Sequence, residues 1–364
     1  MAKEVRYGVI SDIHEDPRII VPALQVLKSQ GADKLLINGD IGGRGSTIQD
    51  SQQYTEFILN EIANSGLEAF VQPGSHETFL GYDPVIKHFA NKHSNIIDAT
   101  DPKNQKVDLN GHSLVFLPGS DFLCGGEYQI NSNIPTGLYV QNGNELMSID
   151  SLQDYVDLLN RGIHLPAMRS SNMNDLSSLV SNPENTIVVC HVPIKFNNIQ
   201  NGVDMAHFHQ QRLYHTEREE INKWTYTELA VVPGFFSREQ LARQNKTLAF
   251  GLNEDDEKIL REILEHITRR GLKGLAVFAE RRENRGNAEM AKIYDDLGIT
   301  KAVTGHFHES SHRAHNRKGN PISGDTYVNE LFWNSGHLDR GYTGILTVKG
   351  EQVKYHNIDL KYLQ

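Results

Sequence analysis

Val5-Arg6-Tyr7-Gly8-Val9-Ile10-Ser11-Asp12-Ile13-His14 is a short apolar strand that runs directly into two side chains able to bind metal. The strand covers Val5 to Ser11. Val21 to Gln30 then has the spacing of a helix stopped by Gly31, and Lys34 to Asn38 of a second strand ending in a Gly-rich turn. Tyr54 to Asn64 is a helix stopped by Gly66, and Glu68 to Gln72 is a third strand before Pro73. Strand, helix, strand in this rhythm builds βαβ units and a largely parallel sheet, so the fold class is α/β.

The first strand's ending recurs along the chain. The second strand leads into Gly39-Asp40, and the third into Gly74-Ser75-His76-Glu77. Thr186 to Cys190 leads into His191, and Lys301 to Thr304 into Gly305-His306-Phe307-His308. Ligand sites of open α/β sheets form at the carboxyl ends of strands, so these five edges are expected to converge. Asp12/His14 and His306/His308 are i, i+2 pairs, which point to one side of an extended chain. Carboxylates mixed with imidazoles suit Mn²⁺, Fe or Zn²⁺ rather than a thiolate site, and Asp40 can offer two oxygens to two ions. Any one of these tripeptides arises by chance; five in order, each at a strand end, do not.

The remaining pattern is less even. Ser113 to Leu117 is a strand, Asp256 to Arg270 a helix with Ile259, Leu260, Ile263, Leu264 and Ile267 in one stripe, and Gly274 to Ala279 a strand. Ala288 to Leu297 is helical, while Tyr327 to Trp333, Thr343 to Val348 and Glu351 to His356 suggest antiparallel closing strands. Residues 119–185 and 195–250 show little periodicity. They are expected as insertions or lids on a single domain spanning 1–364.

Composition narrows the function classes. With 36 Lys and Arg against 46 Asp and Glu, the net charge of −10 gives no general footprint for a nucleic-acid backbone. Cys124 and Cys190 are too few for a disulfide framework. Neither a signal-peptide apolar region nor a run of about 20 apolar residues is present, so a cytoplasmic protein without a membrane span is expected.

The order Asp-x-His, Gly-Asp, Gly-x-His-Glu, His, Gly-His-x-His, from Asp12 to His308, is similar to the signature of the calcineurin-like metallophosphoesterases. The resemblance implies a four-layer fold, two mixed β-sheets packed as a sandwich and flanked by helices. It implies two divalent metal ions (Mn, Fe or Zn), with Asp12, His14 and His308 on the first, Asp40 bridging, and His191, His306 and position 75 on the second. His76 would be the general acid, oriented by Glu77, and Arg44 would contact substrate phosphate as in the serine/threonine phosphatases of the superfamily. Position 75 departs from the pattern: the family carries Asn, whose carbonyl ligates the second metal, and Ser75 is a shorter and poorer ligand. The expected activity is hydrolysis of a phosphomonoester or phosphodiester, with a phosphorylated small molecule or nucleotide as the partner. A nuclease of the same superfamily, or a scaffold that keeps the fold without the reaction, are the competing expectations.

Overall fold

Burial on both faces explains the short apolar runs. Lys34–Asn38, Glu68–Gln72 and Thr186–Cys190 are strands over the expected residues, each with at least four successive buried positions. A strand covered on both sides has no polar face to display, which is the reading of parallel strands under helices. The computed structural model describes residues 3–42, 47–109, 111–121, 125–220, 223–236 and 274–362, the backbone alone over 209–220, 223–236 and 274–280. The chain divides into two units, Met1–Asp204 with Asn284–Gln364, and Met205–Glu283.

The larger unit carries two six-stranded sheets. The first runs in the order Gln352–Asp359, Tyr342–Lys349, Val5–Ile10, Lys34–Asn38, Glu68–Gln72, Ile96–Asp98. Its last four strands are parallel, and the C-terminal hairpin joins antiparallel at Val5–Ile10. The second runs Ala314–His315, Leu331–Asn334, Lys301–Thr304, Thr186–Cys190, His112–Leu117, Lys106–Leu109. Tyr7, Val9, Leu36 and Phe70 of the first sheet share one core with Phe116, Val189, Val303 and Trp333 of the second, so the two pack face to face. Helices Ile20–Ser29, Ile48–Ser65 and Phe79–Lys92 cover the outer face of the first sheet through Leu27, Ile58 and Ile86. Ala288–Leu297 covers the second through Met290 and Tyr294. This is the four-layer α/β sandwich that the sequence implied.

One expectation needs correction. Leu331–Asn334 is not a purely antiparallel closing strand: it pairs antiparallel with Ala314–His315 but parallel with Lys301–Thr304. A hairpin return needs a short turn, and the long connection after Thr304 lets the strand re-enter in the same direction. Residues 119–185, expected as an insertion or lid element, hold a third sheet, in the order Glu145–Ile149, Gly137–Asn142, Ala167–Asn172, Tyr128–Asn131, Ser120–Asp121. Tyr128, Val140 and Ala167 pack from it into the core under the first sheet's helices.

In the smaller unit, Met205–Glu220 pairs antiparallel with Lys223–Phe236, with Gly274–Asn284 as the third strand. The helix expected over 256–270 lies outside the described residues. No helix among the described residues is long and apolar enough to cross a membrane.

Candidate metal centre

Three of the expected ligands sit where the backbone itself is strained. Asp12, Asp40 and His306 have φ of +59°, +54° and +67°, half of the six non-glycine residues with positive φ among those described. Each costs on the order of 1–3 kcal/mol and persists only where the surroundings impose it. The i, i+2 pairs are therefore not extended, as the sequence suggested. A left-handed kink at Asp12 turns the chain, held as Asp12 N–H donates to the Gly39 carbonyl at 3.2 Å and Ile13 N–H to that of Asp40 at 2.7 Å. The strand ends also crowd one another. A Cβ at Gly74 would stand 2.3 Å from Asp40 Oδ1, and one at Gly39, with φ +80°, 2.7 Å from His191 Nδ1.

The side chains converge at ligand spacing. A metal held at about 2.0–2.2 Å by nitrogen and oxygen places neighbouring donors roughly 3.0–3.6 Å apart. His308 Nε2 lies 3.2 Å from Asp12 Oδ1 and 3.1 Å from His14 Nε2. His14 Nε2 is 3.8 Å from Asp12 Oδ1 and 3.9 Å from Asp40 Oδ2. His191 Nε2 is 3.0 Å from the same Oδ2, and His306 completes a group of three with them. Asp40 thus belongs both to a group with His14 and His76 and to one with His191 and His306.

His191 shows what belongs between these atoms. Its side chain is fully buried, and Nδ1 lies 2.8 Å from the Asn38 carbonyl, an acceptor, so Nδ1 carries the proton and donates it. That leaves Nε2 facing the carboxylates of Asp40 and Asp12 at 3.0 and 3.9 Å, and Nε2 makes no hydrogen bond. Positive charge belongs between these atoms, a proton on Nε2 in the metal-free cluster or a cation in its place, and a backbone-tethered imidazole is the usual form of a metal ligand. The donor set fits a divalent ion.

The electrostatics agree. Burial alone would raise the carboxyls of Asp12 and Asp40, yet the imidazoles around them, His191 foremost, hold both well below the ordinary carboxylate range. Against burial, the same carboxylates push His14 up to about 9 and His191 up to about 10. Burial and the neighbouring His191 pull His306 down to about 3. The cluster holds protons where a metal would supply positive charge.

The structure brings Asp12, His14, Asp40, Ser75, His76, His191, His306 and His308 together. Ser75 donates its hydroxyl to Asp40 Oδ2 at 2.9 Å, and the N–H groups of Ser75 and His76 both donate to Oδ1. His76 is half-buried, its ring 4.1 Å from that of His14. Glu77, expected to orient His76, commits its carboxylate to the backbone: Ile41 and Gly42 N–H donate to Oε1 at 2.7 and 3.0 Å, and Gly74 N–H to Oε2 at 2.7 Å. Burial and the nearby Asp40 charge raise it to about 7. Arg44 lies outside the described residues. Two open cavities of about 710 and 430 Å³ lie elsewhere in the larger unit, and no candidate ligand lines either.

His337 was missed in the sequence. It follows Asn334-Ser335-Gly336 at the end of the Leu331–Asn334 strand, a sixth strand end of the kind that identified the others. Asp339, two residues on, accepts from the N–H groups of His14 and Glu15 at 2.6 and 2.9 Å and shapes the Asp12–Asp16 loop.

The family model for calcineurin-like phosphoesterases matches residues 5–226, more than half of the 364, and the chain belongs to that family. The family is one of metal-dependent phosphoesterases, in keeping with the clustered ligands. The match stops before Gly305–His308, which the fold returns to the same site. No curated protein matches. Among solved structures, TT1561 of Thermus thermophilus is similar at 10% identity and a TM-score of 0.47, over 98% of this chain and 100% of that one. A second is similar at 10% identity and 0.45, over 97% and 99%.

Proposed function

We propose that the chain hydrolyses a small phosphomonoester or phosphodiester, nucleotide-like in size, at a centre of two divalent metal ions. The observation that carries this is the place of Asp40, whose Oδ2 lies 3.9 Å from His14 Nε2 and 3.0 Å from His191 Nε2, within reach of both histidine groups. Asp12, His14 and His308 would hold one ion, His191 and His306 the other, with Asp40 shared and Ser75 at the second. The ions, of the Mn, Fe or Zn type that such ligands suit, supply Lewis acidity that activates water and neutralises phosphoryl oxygens.

The chain's own residues do the rest. His191 and Asp40, at the buried floor, fix where charge sits. His76 stands with its backbone N–H on Asp40 Oδ1 at 2.8 Å, and its half-buried ring would give a proton to the leaving alkoxide. His308, 37% exposed, marks the open side by which an ester reaches the centre. The acidic net charge favours a small phosphorylated partner over a polynucleotide.

The test is hydrolysis of p-nitrophenyl phosphate and bis-p-nitrophenyl phosphate by Mn²⁺-loaded protein and its His76→Ala variant. Turnover should fall roughly 10²–10⁴-fold in the variant. Undiminished turnover would remove His76 from its role, and inactivity of the native protein on both esters and on nucleotides would contradict the reading.

A further inference from the structure

Resting on the proposed metal centre, we infer that His337 is an additional ligand on the His14–His308 side, making that side the tight metal site and leaving the Ser75 side the weak one. One ring nitrogen from each of His14, His308 and His337 can be chosen so that all three lie within 4.8 Å of one another. The His337 ring stacks on that of His308, with centroids 3.7 Å apart at 23°, and lies 5.7 Å from that of His14. Lone pairs lie in the ring planes, so the two stacked rings must part for both to reach one ion. Its Nε2 faces Asp339 Oδ2 at 3.4 Å. Metal-ligating histidines commonly carry a carboxylate behind the ring, which holds one N–H and turns the other nitrogen's lone pair toward the ion. With Nε2 so engaged, Nδ1 of His337 is the donor left over.

The same arrangement anchors the rest of that side. Asp339 accepts the backbone N–H of His14, and His337 N–H donates to Ser311 Oγ at 3.1 Å, three residues past His308. His14, His308 and His337 are thus tied to one another through two loops. The opposite side is poorer. Ser75 gives its hydroxyl proton to Asp40, leaving His191 and His306 as the imidazoles there. Three imidazoles with Asp12 favour a Zn²⁺-like or Co²⁺ ion on the first side.

Equilibrium dialysis and visible absorbance with Co²⁺ test this in the metal-stripped full chain. The native protein should bind one ion tightly and a second more weakly, and His337→Ala should weaken the tight site by at least 10-fold with a changed d–d band. His337→Phe keeps the stacking on His308 but has no donor nitrogen. It should behave as His337→Ala; native-like binding in either folded variant, judged by circular dichroism, overturns the inference. A measurement on the native chain does not depend on any variant folding. At one equivalent of Co²⁺, proton NMR should show three hyperfine-shifted imidazole N–H signals, and two would overturn the inference. A native protein that binds no Co²⁺ contradicts the metal centre itself, whereas binding that ignores His337 contradicts only this inference.

Discussion

Glu77 shows how a single side chain positions ligands it does not touch. Its carboxylate ties the Ile41–Gly42 turn to Gly74, the two loops that carry Asp40 and Ser75-His76. Gln in its place keeps one acceptor and turns an N–H₂ toward an N–H donor. Glu77→Gln should therefore lose about 1–3 kcal/mol in urea unfolding and weaken metal binding, because a buried amide is left without its acceptor. The histidines make a second prediction. In the metal-free site His14 and His191 hold protons up to about pH 9 and 10. A metal must displace them, so binding at neutral pH should release protons and weaken as pH falls. Calorimetry in two buffers of different ionisation enthalpy would show it; equal heats, corrected for dilution, would contradict it.

Helix and strand limits follow how local their signals are. Ala288–Leu297 was legible because Asn287 caps it, accepting from Met290 N–H at 2.8 Å, and Gly298 ends it at φ +71°. The Ile48–Ser65 helix begins six residues before the apolar pattern does, at a capping box in which Thr47 and Asp50 exchange hydrogen bonds. Thr47→Ala should cost about 1 kcal/mol in urea unfolding and leave metal binding unchanged. The sheet over 120–172 was not legible for the opposite reason. Tyr128–Asn131 alternates, with Tyr128 and Ile130 buried, but over four residues only, and its partner Ala167–Asn172, some 40 residues on, has no apolar period and buries Ser170 and Ser171. The five strand-end ligand groups were legible from spacing alone. His337 follows a strand whose residues read as part of a closing hairpin, which hid it.

At the scale of the larger unit, the candidate metal centre sits over a buried polar clamp between the two main sheets. Asn38 Nδ2 donates to the carbonyls of Cys190 and Val303, and Gln72 Nε2 to Asn38 Oδ1 and the Val189 carbonyl. All four strands end in candidate ligands, so the clamp fixes the relative register of both halves of the site. Asn38→Ala should cost about 2 kcal/mol or more, as Gln72 and two carbonyls lose partners, and should lower metal affinity; a native-like urea midpoint would contradict the clamp. A metal held by these residues would join strand ends of both sheets, so its binding would be linked to folding. The measurement that bears most directly on the whole account is a Mn²⁺ titration of the metal-stripped chain, following bound ions and p-nitrophenyl ester turnover together. Turnover rising only as the second ion binds is the predicted result, and full turnover with a single ion, or none at saturation, would contradict it.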